Sequence, residues 1–246
     1  MKPQYYSSLS SFQGFFQTGH PVLTYHHVGP RRRGVRIKGL YVSPELFRRQ
    51  MQELRGAGFD ARPISDAAAG GAGGLISLTF DDGFRDVFEN ALPVLRQQGF
   101  CAIQFLVADL LGKTSTWQEA AGDIAEPLMD ESQVREWLAA GHQIGSHTLT
   151  HPRLTRLSPA AAREEISSSR KKLQDRFGVT VDHFCYPYGD WNDAVRDLVG
   201  EAGYATACTT EFGVNTRTTP PLALKRITAR YPSRSWKSIW SRWFGS

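Results

Sequence analysis

The chain has 246 residues, 41% of them hydrophobic, and a net charge of +5 from 29 basic and 24 acidic side chains. These values predict one globular domain with a sizeable core. The sequence has no apolar run of about 18 residues, so we expect no transmembrane helix. The net positive charge is small and the sequence contains no nucleic-acid-binding motif. We therefore expect a solvated basic surface and no nucleic-acid partner. Three widely spaced cysteines, Cys101, Cys185 and Cys208, favour buried free thiols over a disulfide framework or a cysteine zinc site. The serine-rich N-terminus lacks a secretory signal, which predicts a cytoplasmic protein.

Segments with strand and helix patterns alternate along the chain. Residues 1–20 are expected to form an irregular arm, and the first strand covers residues 21–27. Further strands are predicted at 59–64, 75–80, 101–107, 143–146, 181–186, 204–209 and 222–228. Helices are predicted at 44–56, 84–98, 131–140, 159–177, 191–200 and 235–244. The alternation predicts an α/β fold in which a parallel sheet has helices outside it. We assign residues 21–234 to this unit and residues 235–246 to a basic, tryptophan-rich C-terminal helix.

Polar side chains follow the ends of several predicted strands. His26 ends the first strand, and Asp81 directly follows the buried strand at 75–80. His147 and Tyr188 follow two later strands. In a closed barrel, the carboxyl ends of all strands share one rim, and barrel enzymes place their chemistry there. The positions of these residues therefore favour a barrel over an open sheet.

Asp82, His147 and His151 predict a metal site. The two histidines are spaced i and i+4, which on one helical turn places both imidazoles on the same side. Two histidines and one carboxylate leave open positions for water or substrate and suit zinc or a similar divalent ion. A surface pair of histidines is the alternative, and the adjacent Asp-Asp-Gly favours the metal. Asp81, beside Asp82, is a candidate general base, with capping of the helix near Phe84 as the alternative.

Three motifs resemble the polysaccharide deacetylase family, also called the NodB-homology or carbohydrate esterase 4 family. They are TFDDG at 79–83, HTLTH at 147–151 and YPYG at 186–189, and they occur in the family's order. The resemblance implies a distorted (β/α)7-8 barrel that removes acetyl groups from an N-acetylated carbohydrate. It also implies a divalent metal, Zn²⁺ above all with Co²⁺, Ni²⁺ or Mn²⁺ as alternatives, and Asp81 as the base. The backbone N–H of Tyr188 would help to bind the oxyanion.

The chain departs from the family pattern in three respects. Cys185 stands where the third motif usually has an arginine that braces the base, and Arg226 is our candidate replacement, an ordinary surface arginine being the alternative. The late Asp-Trp motif and the C-terminal Leu-x-His, which supplies the catalytic acid, are absent. His26, in TYHHV at 24–28, matches the early Tyr-His motif of a subset that resembles poly-N-acetylglucosamine deacetylases. It would protonate the leaving amine, whereas His27 alternates to the other face and is expected to be structural. A core or hydrogen-bonded role for both histidines is the alternative.

Several assignments stay open. Trp191 and Trp117 are candidates for sugar-stacking walls, with packing as the alternative. The helix at 235–246 would dock on the barrel or rest peripherally on an anionic membrane. Two competing functions remain beside deacetylation: a non-catalytic carbohydrate-binding relative, and a deformylase-like amide hydrolase that acts on a lipid-linked or small substrate.

Overall fold

Seven parallel strands close into a barrel in the computed structural model, which describes residues 5–70 and 73–231. The strands of the described chain are β1 His20–Tyr25, β2 His27–Val28, β3 Tyr41–Val42, β4 Asp60–Ala61, β5 Leu75–Phe80, β6 Ile103–Leu106, β7 Gln143–Ser146, β8 His183–Cys185, β9 Thr206–Phe212, β10 Val214–Asn215 and β11 Leu224–Thr228. The barrel runs β1-β11-β9-β8-β7-β6-β5, and the pairing of β5 with β1 closes it. The expected α/β barrel is therefore confirmed, with seven strands in the ring.

Helices surround the barrel. Within the described residues they are α1 Gln13–Phe16, α2 Pro44–Gly56, α3 Ser65–Ala69, α4 Arg85–Gln98, α5 Thr116–Ala120, α6 Glu131–Ala139, α7 Pro159–Phe177 and α8 Asp193–Glu201. Local sequence sets their ends: the Ser43 side chain accepts a hydrogen bond from the Leu46 N–H at the start of α2. The helix α8 begins two residues later than expected, because the Asn192 side chain caps it. None of these helices is long and apolar enough to cross a membrane.

The N-terminal segment, expected to be an irregular arm, packs on the barrel over its described part. Tyr6, Phe12 and Phe16 are buried and their rings lie 5.5–5.6 Å apart. The Tyr6 N–H also donates a hydrogen bond of 2.9 Å to the carbonyl of Thr228 at the end of β11. The short apolar pieces of this segment therefore join the core. The predicted helix at 235–246 lies outside the described residues.

The register of the strands brings distant polar residues to one end of the barrel. Tyr25 at the end of β1 pairs with Phe80 at the end of β5, so His26 and Asp81 leave the sheet side by side. Cys185 and Cys208 are buried free thiols, as expected, in a cluster with Val22, Phe105 and Leu224, whereas Cys101 is a free thiol that is only partly buried. Apolar side chains fill the interior around Cys185 and Cys208, and the polar side chains lie at the carboxyl ends of the strands.

His20, the first residue of β1, is a buried histidine away from that end. The Ser77 hydroxyl donates to the carbonyl of Arg62 at 3.1 Å, so the His20 Nε2–H donates to Ser77 Oγ at 2.9 Å. The His20 Nδ1 atom has no hydrogen-bond partner within the described residues. Burial lowers the pKa of His20 to about 4, because a protonated ring would carry a second buried donor without an acceptor.

The folded protein should lose stability as the pH falls from about 6.5 to about 4, since the unfolded chain binds a proton at His20 that the folded chain does not. His20 should account for about 2 kcal/mol of this loss at pH 5. Urea denaturation of metal-free protein at pH 7.5 and pH 5 measures it. His20→Gln cannot titrate and should lose less free energy of unfolding over this interval than the unmodified chain. Equal losses for the two proteins would contradict the assignment.

Candidate active site

A cavity of about 290 Å³ opens at the carboxyl ends of the barrel strands. Eight of the nine residues predicted for the site line it: His26, Asp81, Asp82, Trp117, His147, His151, Tyr188 and Arg226. The ninth, Trp191, lies outside the lining and stacks on Tyr186 with the ring centroids 5.8 Å apart. The structure therefore brings together Trp117 on α5 with residues from five strands, β1, β5, β7, β8 and β11, and the loops that follow them.

The backbone around this cavity is strained. Among the described residues, only four other than glycine have a positive φ: Asp82 at 74°, Thr148 at 70°, His151 at 68° and Tyr188 at 60°. All four belong to the motifs that bear the predicted site. A left-handed conformation costs a non-glycine residue on the order of 1–3 kcal/mol, so surrounding contacts must impose it. Strain of this kind concentrates where side-chain direction matters more than local stability.

Asp82, His147 and His151 form a buried cluster of potential metal ligands. The Asp82 Oδ1 atom lies 3.3 Å from His147 Nε2 and 3.2 Å from His151 Nε2. One ligand atom from each of the three residues falls within 4.8 Å of the others. Burial raises the pKa of Asp82, but the two histidines lower it by more, so it lies well below its ordinary value.

The donor set fits a divalent cation. The His147 Nδ1–H donates to the carbonyl of Cys185 at 2.7 Å, so the Nε2 lone pair faces Asp82 when the ring is neutral. A carboxylate and an imidazole lone pair repel one another unless a cation or a proton lies between them. Ligating histidines usually donate their second ring N–H to a carbonyl or carboxylate, as His147 does. The cluster is therefore a candidate metal centre.

A loop, and not a helical turn, brings the two histidines together. The expectation of a helical turn was wrong, because β7 ends at Ser146 and Thr148 and His151 adopt left-handed conformations. The Glu165 carboxylate on α7 holds this loop. Its Oε2 atom accepts the N–H groups of Leu149 at 2.9 Å and Thr150 at 3.0 Å, and its Oε1 atom accepts the Thr150 hydroxyl at 2.6 Å. Sequence reasoning missed Glu165, since nothing in its helical pattern marks it among other exposed charges.

Asp81 is held by a buried arginine. The Arg226 Nη1 and Nη2 atoms each donate to one oxygen of Asp81 at 2.8 Å, and the Nε–H donates to the Thr209 carbonyl at 2.7 Å. Burial raises the pKa of Asp81, but Arg226 and His26 lower it below its ordinary value. Arg226 is only 3% exposed, so it is not an ordinary surface arginine. Asp81 does not cap α4 either, whose N-cap residue is Phe84.

The two early histidines have different environments. The His26 Nε2 atom lies 3.8 Å from Asp81 Oδ2 and faces the cavity. Burial lowers the pKa of His26, and the negative charges of Asp81 and Asp82 offset this only in part. The His27 Nδ1 atom lies 3.0 Å from a carboxylate oxygen of Asp86. Its ring is stacked between Tyr41 and Phe84, in keeping with the structural role expected for it.

Aromatic rings form part of the cavity wall. Trp117 on α5 lines the cavity and stacks on His151 at 4.5 Å. Tyr188 is 45% exposed, with its ring 4.6 Å from His151 and the Arg153 guanidinium carbon 4.2 Å from its centroid. Both tryptophans considered from the sequence pack against the core, but only Trp117 also lines the cavity and is placed to contact a ligand.

Comparison with known proteins gives consistent matches. The profile of the family described as polysaccharide deacetylase matches residues 69–207. YxkH of Bacillus subtilis (strain 168), which is named for the polysaccharide deacetylases, is 26% identical over 213 residues that cover 84% of this chain and 70% of YxkH. A chitooligosaccharide deacetylase of Bradyrhizobium sp. (strain ANU 289) is 27% identical over 132 residues, 53% of each chain. The crystal structure of the polysaccharide deacetylase BC0361 from Bacillus cereus has a TM-score of 0.74 at 27% identity and covers 87% of this chain and 66% of that one. The chain thus spans only part of each of these proteins.

Glu165→Gln should weaken binding of a divalent ion by about 10- to 100-fold, since groups that orient metal ligands typically contribute that much. The glutamine keeps one acceptor but loses the charge that holds two N–H groups and a hydroxyl. Competition titration with Zn²⁺ and a chromophoric chelator measures the affinity. Glu164→Gln, on the same helix and bonded only to Ser168 in the described structure, is the matched control. Unchanged affinity in Glu165→Gln would show that the loop keeps its shape without this carboxylate.

Proposed function

Because the chain belongs to the polysaccharide deacetylase family, whose profile matches more than half of it, we propose that it hydrolyses the acetamide of an N-acetylated saccharide. The C–N bond of the amide is broken, the carbonyl carbon gains an oxygen from water, and acetate and a free amine are released. One observation above all supports this proposal: an arginine-held carboxylate, Asp81, lies directly beside a three-ligand cluster in one cavity. The names of relatives that act on acetylated sugars support the substrate class.

Asp81 has the properties of the general base. Its pKa lies below the ordinary value, so it is ionised at neutral pH and can accept a proton. The bidentate contact with Arg226 fixes the plane of the carboxylate, while each oxygen keeps a lone pair that is free of Arg226. A base must stand within hydrogen-bond reach of the water that attacks, and Asp81 lines the cavity next to the candidate ligand Asp82.

Asp82, His147 and His151 would hold the divalent ion. Two imidazoles and one carboxylate suit Zn²⁺ best, with Co²⁺, Ni²⁺ and Mn²⁺ as alternatives. When bound there, the ion supplies Lewis acidity toward the acetyl carbonyl and activates water. The Cys185 carbonyl fixes the ring of His147, and Glu165 fixes the loop between the two histidines.

The remaining roles concern the substrate and the leaving group. His26 faces the cavity 3.8 Å from Asp81 and is proposed to deliver the proton that the departing nitrogen needs. This role matches that of the early Tyr-His motif in one subset of the family. The Tyr188 N–H is proposed to stabilise the charge on the acetyl oxygen. Trp117 and the Tyr188 ring offer apolar faces against which a sugar ring can stack.

Asp81→Asn should keep the divalent ion but lower acetate release from N-acetylglucosamine oligomers by about 10²- to 10⁴-fold, the usual contribution of a general base. Asparagine has nearly the same shape, so the loss would report on proton transfer. Metal content and thermal melting show whether the variant remains folded, because Arg226 loses its charged partner. Asp175→Asn, whose carboxylate pairs with Lys171 on an exposed face, is the control. Activity of Asp81→Asn near that of the unmodified chain would remove the base assignment.

Removal of the metal with a chelator should abolish acetate release, and addition of Zn²⁺ should restore it. Parallel additions of Co²⁺, Ni²⁺ and Mn²⁺ rank the alternatives. His147→Ala should lose both activity and metal binding, because one of three ligands is removed. A metal-replete protein that releases no acetate from a broad panel of acetylated sugars would favour the non-catalytic carbohydrate-binding relative. Release of formate or ring opening of a cyclic amide would favour the other amide hydrolase.

A further inference from the structure

One side of the cavity mouth is built by a basic loop. Residues 29–40 connect β2 to β3, and Ile37 and Leu40 of this loop line the cavity. The loop carries five basic side chains: Arg31, Arg32, Arg33, Arg36 and Lys38. Five of the 29 basic residues of the chain therefore lie on the loop that borders the opening.

Two of these arginines are used to hold the loop in place. Arg32 forms a salt bridge of 3.1 Å with Glu126. Arg36 donates to the carbonyl of Ala121 at 2.9 Å, and the Asp123 carboxylate accepts the backbone N–H groups of Arg36 and Ile37. The nearby carboxylates are thus engaged in fixing the loop to the segment that follows α5.

Three other cations form what we call the basic rim: Arg31, Lys38 and Arg230. Arg230 lies two residues after Thr228, which lines the cavity, and its guanidinium packs so closely on Gly39 that a Cβ atom there would lie 2.8 Å from its central carbon. Within residues 5–70 and 73–231, none of the three forms a salt bridge with a carboxylate.

Aromatic rings hold the arginines of the basic rim. The Arg230 guanidinium carbon lies 4.8 Å from the ring centroid of Tyr5 and 5.4 Å from that of Tyr231, and Arg31 lies 5.8 Å from the Tyr231 ring. A ring face orients a guanidinium without using its N–H donors, which point outward in the plane of the group. The arginines therefore keep donors for an anion from outside the chain.

A neutral sugar gives no reason to collect unpaired cations at the mouth of its binding site, because like charges repel one another. A phosphate or carboxylate group does, since guanidinium groups bind both through paired hydrogen bonds. We propose that the basic rim binds an anionic group carried by the saccharide outside the acetylated sugar, so that the substrate is an anionic N-acetylated saccharide. This inference rests on the proposed deacetylase function and specifies its substrate class.

Three N-acetylglucosamine tetramers test the proposal: one with a phosphate at the reducing end, one with a carboxylate there, and the neutral methyl glycoside. At low ionic strength, kcat/KM for acetate release should be about tenfold higher for at least one anionic tetramer, and the advantage should shrink as salt screens the charges. Preference for the phosphate or for the carboxylate identifies the source of the anionic group. Equal kcat/KM for all three tetramers would overturn the proposal and leave the deacetylase function intact.

Variants that remove one positive charge identify the residues that cause the preference for the anionic tetramer. Arg230→Gln and the exposed Lys38→Gln should each lower kcat/KM for the anionic tetramer by about fivefold and leave that for the neutral one unchanged. Arg217→Gln is the matched control, because Arg217 is exposed in the connection from β10 to β11, at the opposite end of the barrel. Equal losses for anionic and neutral tetramers would overturn the proposal.

If no tetramer releases acetate, a direct binding measurement tests anion binding by the basic rim separately from the deacetylase function. Calorimetric titration of the metal-loaded protein should then still show tighter binding of an anionic tetramer, and Lys38→Gln should remove that difference. Equal affinities would overturn the proposal. Binding of the basic rim to anionic vesicles or DNA, without any distinction among the tetramers, would overturn it as well.

Discussion

The burial of two neighbouring carboxylates at the end of β5 is the constraint on which the rest of the site depends. Asp81 and Asp82 are both nearly inaccessible to solvent, and two adjacent negative charges are costly to bury together. The left-handed turn at Asp82 separates their directions, so that Asp81 faces Arg226 and Asp82 faces the two histidines. Each carboxylate thereby acquires its own partner, and the two can take different roles.

The contact between Asp81 and Arg226 holds the candidate base although the chain has no arginine at position 185, where it departs from the motif it resembles. Cys185, in the position usually held by an arginine, is small enough for the Arg226 Nη2 atom to lie 3.2 Å from its sulfur. Burial raises the pKa of Cys185 to about 11, so the thiol is neutral and is directed at Asp81 Oδ2 at 3.6 Å. Arg226 on β11 thus holds Asp81, and the Cys185 thiol on β8 lies against both side chains.

Sequence patterns failed where the contacts are made by loops or by distant strands. The spacing of His147 and His151 suggested a helical turn, but a strained loop held by Glu165 produces the same convergence. Trp191 and Trp117 were equal sequence candidates for a sugar contact, yet only Trp117, from a long connection, lines the cavity. The sequence pattern reveals neither the conformation of a loop nor which of two aromatic rings borders the cavity.

The sequence by itself determined the alternation of strands and helices, the order of the motifs and the chemical types of the candidate ligands. Apolar periodicity and capping residues act within a few positions of one another, so they can be recognised in a single segment. The tertiary structure alone decided that Arg226 reaches Asp81, 145 positions earlier, and that His26 leaves the sheet beside it. Those contacts depend on which strands are neighbours and in what register they pair, and that is fixed only when the barrel closes.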